Sequence, residues 1–340
     1  MSMEKLRVGF LCYGLSAAST TTLNPLSEEA GHLMQIKAYP LVFDWDSSLR
    51  VRFSYRPTKF KGRYFTFNTL RRNAPEGTLL SLSLPVVYDL VRESNVVCLL
   101  GIQGIPALIA VLLAKLYRKP IVAINQTTLP NAELRRAFWV RLAKKFILKL
   151  SDAIVAQTPP TIDTLEQVYG IPKAEIIYSP WDGGASEFLP FLNKYHTFAK
   201  HELREQYGIG PNTYVILYTG TLIGYKGVDI LIRAFAHLKV KISEALLLLA
   251  GAEGKPSGTL AKLQELAVSL GQGESVRFLG RQPWDELAKL YLLADVFVLP
   301  TRRDVWPKVL IEAALAGLPL VTTNVCGAAG YLVRSGENGF

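Results

Sequence analysis

Short, nearly continuous apolar runs recur along the chain, separated by longer stretches in which apolar residues return every three or four positions. In the first half the continuous runs are 6–12 (LRVGFLC), 36–43 (IKAYPLVF), 95–100 (NVVCLL), 120–125 (PIVAIN), 153–158 (AIVAQT) and 175–179 (EIIYS). In the second half they are 214–220 (YVILYTG), 245–251 (ALLLLAG), 275–280 (SVRFLG), 296–300 (VFVLP) and 319–323 (PLVTT). Amphipathic stretches at 25–33, 133–150, 228–238, 259–270, 283–294 and 307–316 lie between them and predict helices. Strands with almost no polar positions suit a parallel sheet covered on both faces. The alternation of strand and helix therefore predicts a doubly wound α/β architecture, and eleven strands predict two such units.

The pattern breaks at 179–188 (SPWDGGASEF), where Pro, Asp and paired Gly interrupt it. This predicts domains at 1–182 and 183–340, and 340 residues agree with two domains. In such sheets the default ligand site is the crevice at the carboxyl ends of the strands. One apolar run, 96–114 (VVCLLGIQGIPALIAVLLA), is long enough for a bilayer. The segment 101–106 (GIQGIP) divides it, so it reads as a buried strand, a tight loop and a buried helix.

An apolar content of 49% with 19% charged residues excludes a disordered chain. The net charge of +10 is unevenly placed: 22 Lys and Arg face 13 Asp and Glu in residues 1–180, against 16 and 15 in the remainder. The first half thus favours an anionic partner. Cys12, Cys98 and Cys326 are widely spaced, which fits a reducing, cytoplasmic compartment better than a disulfide framework. The opening MSMEKLRVGF lacks the apolar core of a secretory signal. Asp44-Trp45-Asp46 has the i, i+2 carboxylates that can share a metal, but in a loop after a strand it reads as structural. His196 and His201 are five apart, off the spacing that puts two ligands on one helix face, and His32 and His237 read as surface residues.

The stretch 300–323 (PTRRDVWPKVLIEAALAGLPLVTT) carries the densest candidate chemistry. It leaves a strand, crosses a loop and enters a helix, with Pro307 suited to the first helical position and Gly317 to the exit. The amides around Lys308, Val309 and Leu310 would then be free and, with the helix dipole, form an anion site. Asp304 and Glu312 are expected on the order of 8–12 Å apart along the axis. That exceeds the ~5–5.5 Å of two carboxylates flanking one glycosidic bond and suits a ligand held at two places, such as the sugar and ribose of a nucleotide sugar. The plainer reading leaves Asp304 as a loop cap and Glu312 as a solvated helix carboxylate.

Together with 220–235 (GTLIGYKGVDILIRAF), 247–254 (LLLAGAEG) and 276–300 (VRFLGRQPWDELAKLYLLADVFVLP), the D-x7-E pattern of Asp304 and Glu312 resembles glycosyltransferase family 4. Weaker matches are 151–172 (SDAIVAQTPPTIDTLEQVYGIP) and the opening strand. The resemblance implies a GT-B fold, two Rossmann-like domains facing across a cleft, with an acceptor-side first domain and a nucleotide-sugar-binding second. It implies transfer from a UDP- or GDP-linked sugar with retention at the anomeric carbon and without a metal or other cofactor. By position it places Lys226, with Gly220 and Thr221, at the donor diphosphate and Glu312 at the ribose. Asp304, with backbone amides of Trp306, Lys308 and Val309, would hold the transferred sugar. Gly14, Gln103 and Gln126 would face the acceptor.

Several positions depart from the family pattern. Asp304 stands where the family has Glu, and Pro307 replaces a Gly and removes an amide donor. Thr221 replaces a basic residue, so one diphosphate contact is lost unless Arg302 or Arg303 supplies it. No histidine occupies the acceptor side, where a neutral amide can orient a hydroxyl but cannot take its proton. The family pattern also continues beyond Phe340.

Two basic segments complete the reading. Residues 50–73 hold eight Lys or Arg and no acid, interleaved with aromatics, and 134–150 hold six with Phe138, Trp139 and Phe146. Such composition fits docking on anionic lipid, with nucleic acid the less favoured partner; a solvated loop and helix around an ordinary core is the plainer reading, and for 134–150 it stands level with the membrane one. The sequence thus points to a glycosyltransferase acting on a lipid-linked or glycan acceptor at the cytoplasmic membrane face, as in polysaccharide biosynthesis. The departures keep open a non-catalytic sugar-nucleotide-binding or scaffold protein.

Overall fold

The computed structural model describes residues 5–12, 33–40, 54–55, 65–66, 79–80, 84–100, 104–125, 130–180, 185–254 and 257–340. The chain divides into two compact units, Met1–Trp181 and Asp182–Phe340.

The first unit contains β1 (Leu6–Cys12), β2 (Met34–Pro40), β3 (Ser54–Tyr55), β4 (Phe65–Thr66), β5 (Leu79–Leu80), β6 (Val96–Leu100), β7 (Ile121–Asn125), β8 (Ala153–Ala156) and β9 (Ile176–Tyr178). Seven of these form one parallel sheet in the order β3-β2-β1-β6-β7-β8-β9. The two-residue strands β4 and β5 pair antiparallel and were not expected, since neither carries an apolar run. Val97, Leu99, Ile121 and Ala123 are fully buried, as strands covered on both faces require. The apolar run 96–114 resolves into β6 and the helix Gly104–Leu116, which buries Ala107, Ala110, Val111 and Ala114. No helix among the described residues is long and apolar enough to cross a membrane.

The single helix expected over 133–150 is two, Pro130–Leu134 and Phe138–Leu150, broken at 135–137. Buried Glu133 explains the break. It accepts hydrogen bonds from Tyr169 Oη (2.6 Å), Lys144 Nζ (3.0 Å) and Arg136 Nε (3.0 Å). A straight helix through 133 would carry its carboxylate along the same rod as Lys144, whereas the break lets the short helix fold back and bring the two together. A buried carboxylate is tolerated only when paired in this way.

The second unit contains β10 (Tyr214–Thr219), β11 (Ala245–Ala250), β12 (Val276–Gly280), β13 (Val296–Leu299) and β14 (Leu320–Thr322). They form a parallel sheet in the order β12-β11-β10-β13-β14. β11 is buried at all six positions, and the helices Val228–Lys239, Thr259–Ser269 and Trp284–Leu293 pack Leu231, Ile232, Phe235, Leu263 and Leu290 into the same core. The helix Ala185–Tyr195 begins inside the segment expected to be the domain boundary and contains Pro190. Its Phe188 and Leu192 are buried in the second core, which offsets the hydrogen bond that proline removes. Strand order reverses between β10 and β13, so the crevice outside their carboxyl ends is this sheet's switch point.

Candidate functional site

Two loops leave that switch point. The first, 220–227, follows β10 and ends in the tight turn Gly224–Lys226. Gly220 adopts φ +138° and donates its N–H to Ala250 O at 2.9 Å. Gly227 adopts φ +72°, and a Cβ there would lie 1.9 Å from Pro300 O. Only glycine permits both the left-handed backbone and that approach. The second loop, 300–307, follows β13 and is fastened to the first. Arg302 N–H and Thr301 Oγ1 donate to Tyr225 O at 2.7 and 3.1 Å, and Arg302 Nη1 donates to Gly224 O at 2.7 Å.

This fastening brings Lys226 and Asp304 into contact. Lys226 Nζ donates to Asp304 Oδ2 at 2.5 Å, with the two side chains only 15% and 16% exposed. The lysine expected to stand free for a diphosphate is therefore held by the acid expected to hold the sugar. Asp304 is itself fixed through its backbone, since Gly327 N–H donates to its carbonyl at 2.8 Å. The buried thiol of Cys326 lies beside it, its pKa raised chiefly by burial.

The helix Lys308–Leu315 starts one residue later than expected. Pro307 is its N-cap residue, at φ −71° and ψ 118°. The Leu310 N–H, expected to be free, bonds to Pro307 O at 3.1 Å. Lys308 and Val309 stand ahead of the first helical hydrogen bond, where amides have no intrahelical acceptor. Gly317 leaves the helix at φ +75°. The indole Nε1 of Trp306 is buried without a hydrogen-bond partner among the described residues.

Glu312 is 5% exposed, which removes the solvated reading of its carboxylate. Tyr291 Oη donates to its Oε2 at 2.9 Å, and Lys308 Nζ lies 3.5 Å from its Oε1. Tyr291 has one hydroxyl proton and gives it to the carboxylate, so the contact with Thr219 Oγ1 at 2.5 Å runs from threonine to tyrosine. Burial first, and the Glu312 charge second, raise the Tyr291 pKa well above its ordinary value. The chain Thr219–Tyr291–Glu312 ties the helix carboxylate to the last residue of β10. Sequence reading missed Thr219 and Tyr291, although a core tyrosine on an amphipathic helix signals that its hydroxyl must find a partner. Lys308 also lies over Trp284, 5.2 Å from the ring centroid.

Of the substitutes considered for the absent basic residue at Thr221, Arg302 is committed elsewhere. It grips Asp229 at 2.8 and 2.6 Å through both terminal nitrogens, and this hydrogen bonding raises its pKa and lowers that of Asp229. Arg303 is exposed, with no partner for its guanidinium among the described residues. Gly14, Gln103, Gln126, His32 and the Asp44–Asp46 carboxylates lie outside the described residues, as does segment 50–73 apart from β3 and β4.

Loops that present a lysine, two carboxylates and helix amides at a switch point form the kind of crevice at which doubly wound units hold their ligands. The family described as glycosyl transferases group 1 matches residues 199–340. That segment lies within the second unit. A D-inositol 3-phosphate glycosyltransferase of Rhodococcus opacus is 30% identical over 223 residues, 64% of this chain and 48% of the relative. The enzyme of the same name from Corynebacterium jeikeium is 28% identical over 222 residues, 64% and 52%. The chain thus spans about half the length of these curated relatives. Among solved structures, HepE of Anabaena in complex with UDP superposes with a TM-score of 0.71 at 16% identity, covering 99% of this chain and 85% of that one. WaaG, a glycosyltransferase involved in lipopolysaccharide biosynthesis, gives 0.58 at 19%, with 96% and 83% covered. These likenesses establish the GT-B fold expected from the sequence.

Proposed function

We propose that the chain is a retaining glycosyltransferase that moves a sugar from a UDP- or GDP-linked donor to a lipid-linked or glycan acceptor at the cytoplasmic membrane face. The observation that carries it is the buried Glu312, held by Tyr291 and set one helical turn beyond unpaired amides at the switch point. Its carboxylate has lone pairs beyond the one taken by Tyr291, enough to accept a ribose hydroxyl. Lys226 is the cation for the diphosphate, Lys308 and Val309 add amides, and Asp304 accepts from sugar hydroxyls. The acceptor oxygen bonds to the anomeric carbon on the face from which the nucleoside diphosphate departs, and its proton passes to a departing phosphate oxygen. That route needs neither an N-domain histidine nor a metal, because Lys226 and the amides stabilise the leaving charge.

The membrane half of the proposal rests on the helix Phe138–Leu150. On this helix Phe138, Leu142 and Phe146 recur every four residues and are exposed, beside Trp139 at 73% exposure. Exposed Lys145 and Lys149 lie among them, while Ile147 and Leu148 face the core. An apolar stripe edged by cations suits an anionic lipid interface.

Incubation with UDP- and GDP-sugars and lipid-linked acceptors, with product anomer read by NMR, tests the activity. Glu312→Ala should weaken donor binding at least tenfold, and unchanged affinity would refute the ribose role. Loss of binding to anionic liposomes in a Phe138→Ser/Trp139→Ser/Phe146→Ser chain tests the membrane face. Thr221 and the committed Arg302 favour a second reading, a sugar-nucleotide-binding protein without turnover. Donor binding with no transfer or hydrolysis would establish that one.

A further inference from the structure

The two groups assigned to the donor's diphosphate and to its sugar satisfy each other. Lys226 is the one cation paired with Asp304 among the described residues, and both are largely buried. Their backbones are locked: the Lys226 turn by Thr301 and Arg302, Asp304 by Gly327. The pair is therefore built into the loops and is not a chance meeting of flexible side chains. A phosphate that takes Lys226 leaves a part-buried carboxylate without its cation and adds negative charge beside it. Removing one partner of a buried pair is costly because the other charge is left uncompensated.

A ligand can avoid that cost in one way, by bringing hydrogen-bond donors to Asp304 as its phosphate draws Lys226 away. A nucleotide sugar carries hydroxyls on the group beyond its diphosphate; a bare nucleoside diphosphate carries none there. We infer that the Lys226–Asp304 pair makes this site discriminate against the bare nucleoside diphosphate, so that intact donor opens the pair and the spent carrier is expelled as it closes. This rests on the donor-site reading above and adds to it a role for Asp304 as a specificity determinant.

The test is calorimetric titration of UDP, GDP, UDP-glucose and GDP-mannose into the full chain and its Asp304→Asn, Asp304→Ser and Asp304→Glu variants. The backbone carbonyl of Asp304 makes the fold contact with Gly327, so both neutral variants keep it. Asp304→Asn and Asp304→Ser should bind the bare diphosphate about five- to tenfold more tightly than the parent chain, and Asp304→Glu should stay within about twofold. Transfer should fall in both neutral variants. Neutral variants that bind the bare diphosphate equally or more weakly would overturn the inference and leave the donor site standing, with Asp304 merely orienting Lys226. A parent chain that binds none of the four nucleotides would overturn the donor-site reading and the inference with it.

Discussion

Tyr291→Phe removes one oxygen from the centre of the site and nothing from its shape. The phenol is fully buried, gives its proton to Glu312 and receives one from Thr219. Deleting it strips a donor from a buried carboxylate and leaves the Thr219 hydroxyl to find another acceptor. Hydrogen bonds to charged groups contribute about 1.5–3 kcal/mol, and at ~2–4 °C per kcal/mol for a unit of this size the midpoint should fall by roughly 3–12 °C. Thr219→Val, which leaves the Tyr291–Glu312 bond intact, should cost less, about 0.5–1.5 kcal/mol. The pair should be non-additive because they share one network. The phenol also has a pH signature. Its folded pKa lies well above the ordinary value of 10.0, so its contribution is complete below pH 10 and is lost above it, as the unfolded phenol ionises and the folded one does not. Tyr291→Phe should lack that alkaline decline. Scanning calorimetry reads the stability, and titration with UDP and GDP should show affinity reduced severalfold as Glu312 shifts. A loss below ~0.5 kcal/mol, the range of an ordinary surface change, would refute the tie between Tyr291 and Glu312.

Gly227→Ala must push a Cβ to within 1.9 Å of Pro300 O at φ +72°, so it should cost at least about 2 kcal/mol, and donor affinity should fall with it as the Lys226 turn moves. Asp295 accepts from Val215 N–H (2.7 Å), Arg204 Nη2 (2.6 Å) and Lys200 Nζ (2.7 Å). Burial raises its pKa, but the hydrogen bonds and the two cations outweigh it and hold the pKa below the ordinary 3.8. The stability it supplies is therefore complete above that value and lost as pH falls through the lowered one. Asp295→Asn should destabilise by about 1–3 kcal/mol at pH 7 and unfold with a flatter acid limb in urea titrations. The Cys98 thiol is pushed up to about 12 by burial. Its contribution is complete below pH 9 and lost as pH rises toward 12, so Cys98→Ala should decline less than the parent over that window. In the native chain neither Cys98 nor Cys326 should react with a thiol reagent at pH 8 until denaturant is added.

The sheets were legible because a buried parallel strand is a local signal. β1 spans Leu6–Cys12, the run of apolar residues itself, and β10, β11 and β13 end at the Gly or Pro that closes each run. Elements failed to register where a distant partner decides the conformation. The break at 135–137 depends on Glu133 meeting Lys144 and Tyr169, and the last of these is 36 residues away. The helix Ala185–Tyr195 defies its internal Pro190 because Phe188 packs edge-on against Trp284 and Tyr291 of another helix, with ring centroids 6.3 and 5.7 Å away. No window of sequence contains both halves of either decision.

The site divides along the same line. Asp304 and Glu312 stand on one loop and the helix it feeds, so their spacing was legible, and with the surrounding motifs it suggested a ligand held at two places. What they touch comes from elsewhere: Lys226 is 78 residues from Asp304, Tyr291 is 21 from Glu312, and Thr219 is 72 from Tyr291. Periodicity counted Tyr291 among the apolar residues of its helix, and the resemblance placed Lys226 at a diphosphate and not against Asp304. A polar accounting would have gone further. Glu312 is the one buried acid among the described residues of the second unit, and a buried tyrosine needs an acceptor. These two needs meet each other, and the parallel sheet supplies the geometry, because β10 and β13 are hydrogen-bonded neighbours whose loops leave the same edge. The same closeness sets Lys226 against Asp304. Opposite charges gathered on neighbouring loops neutralise each other, and the strength of that pairing sets the threshold that any ligand competing for either group must exceed.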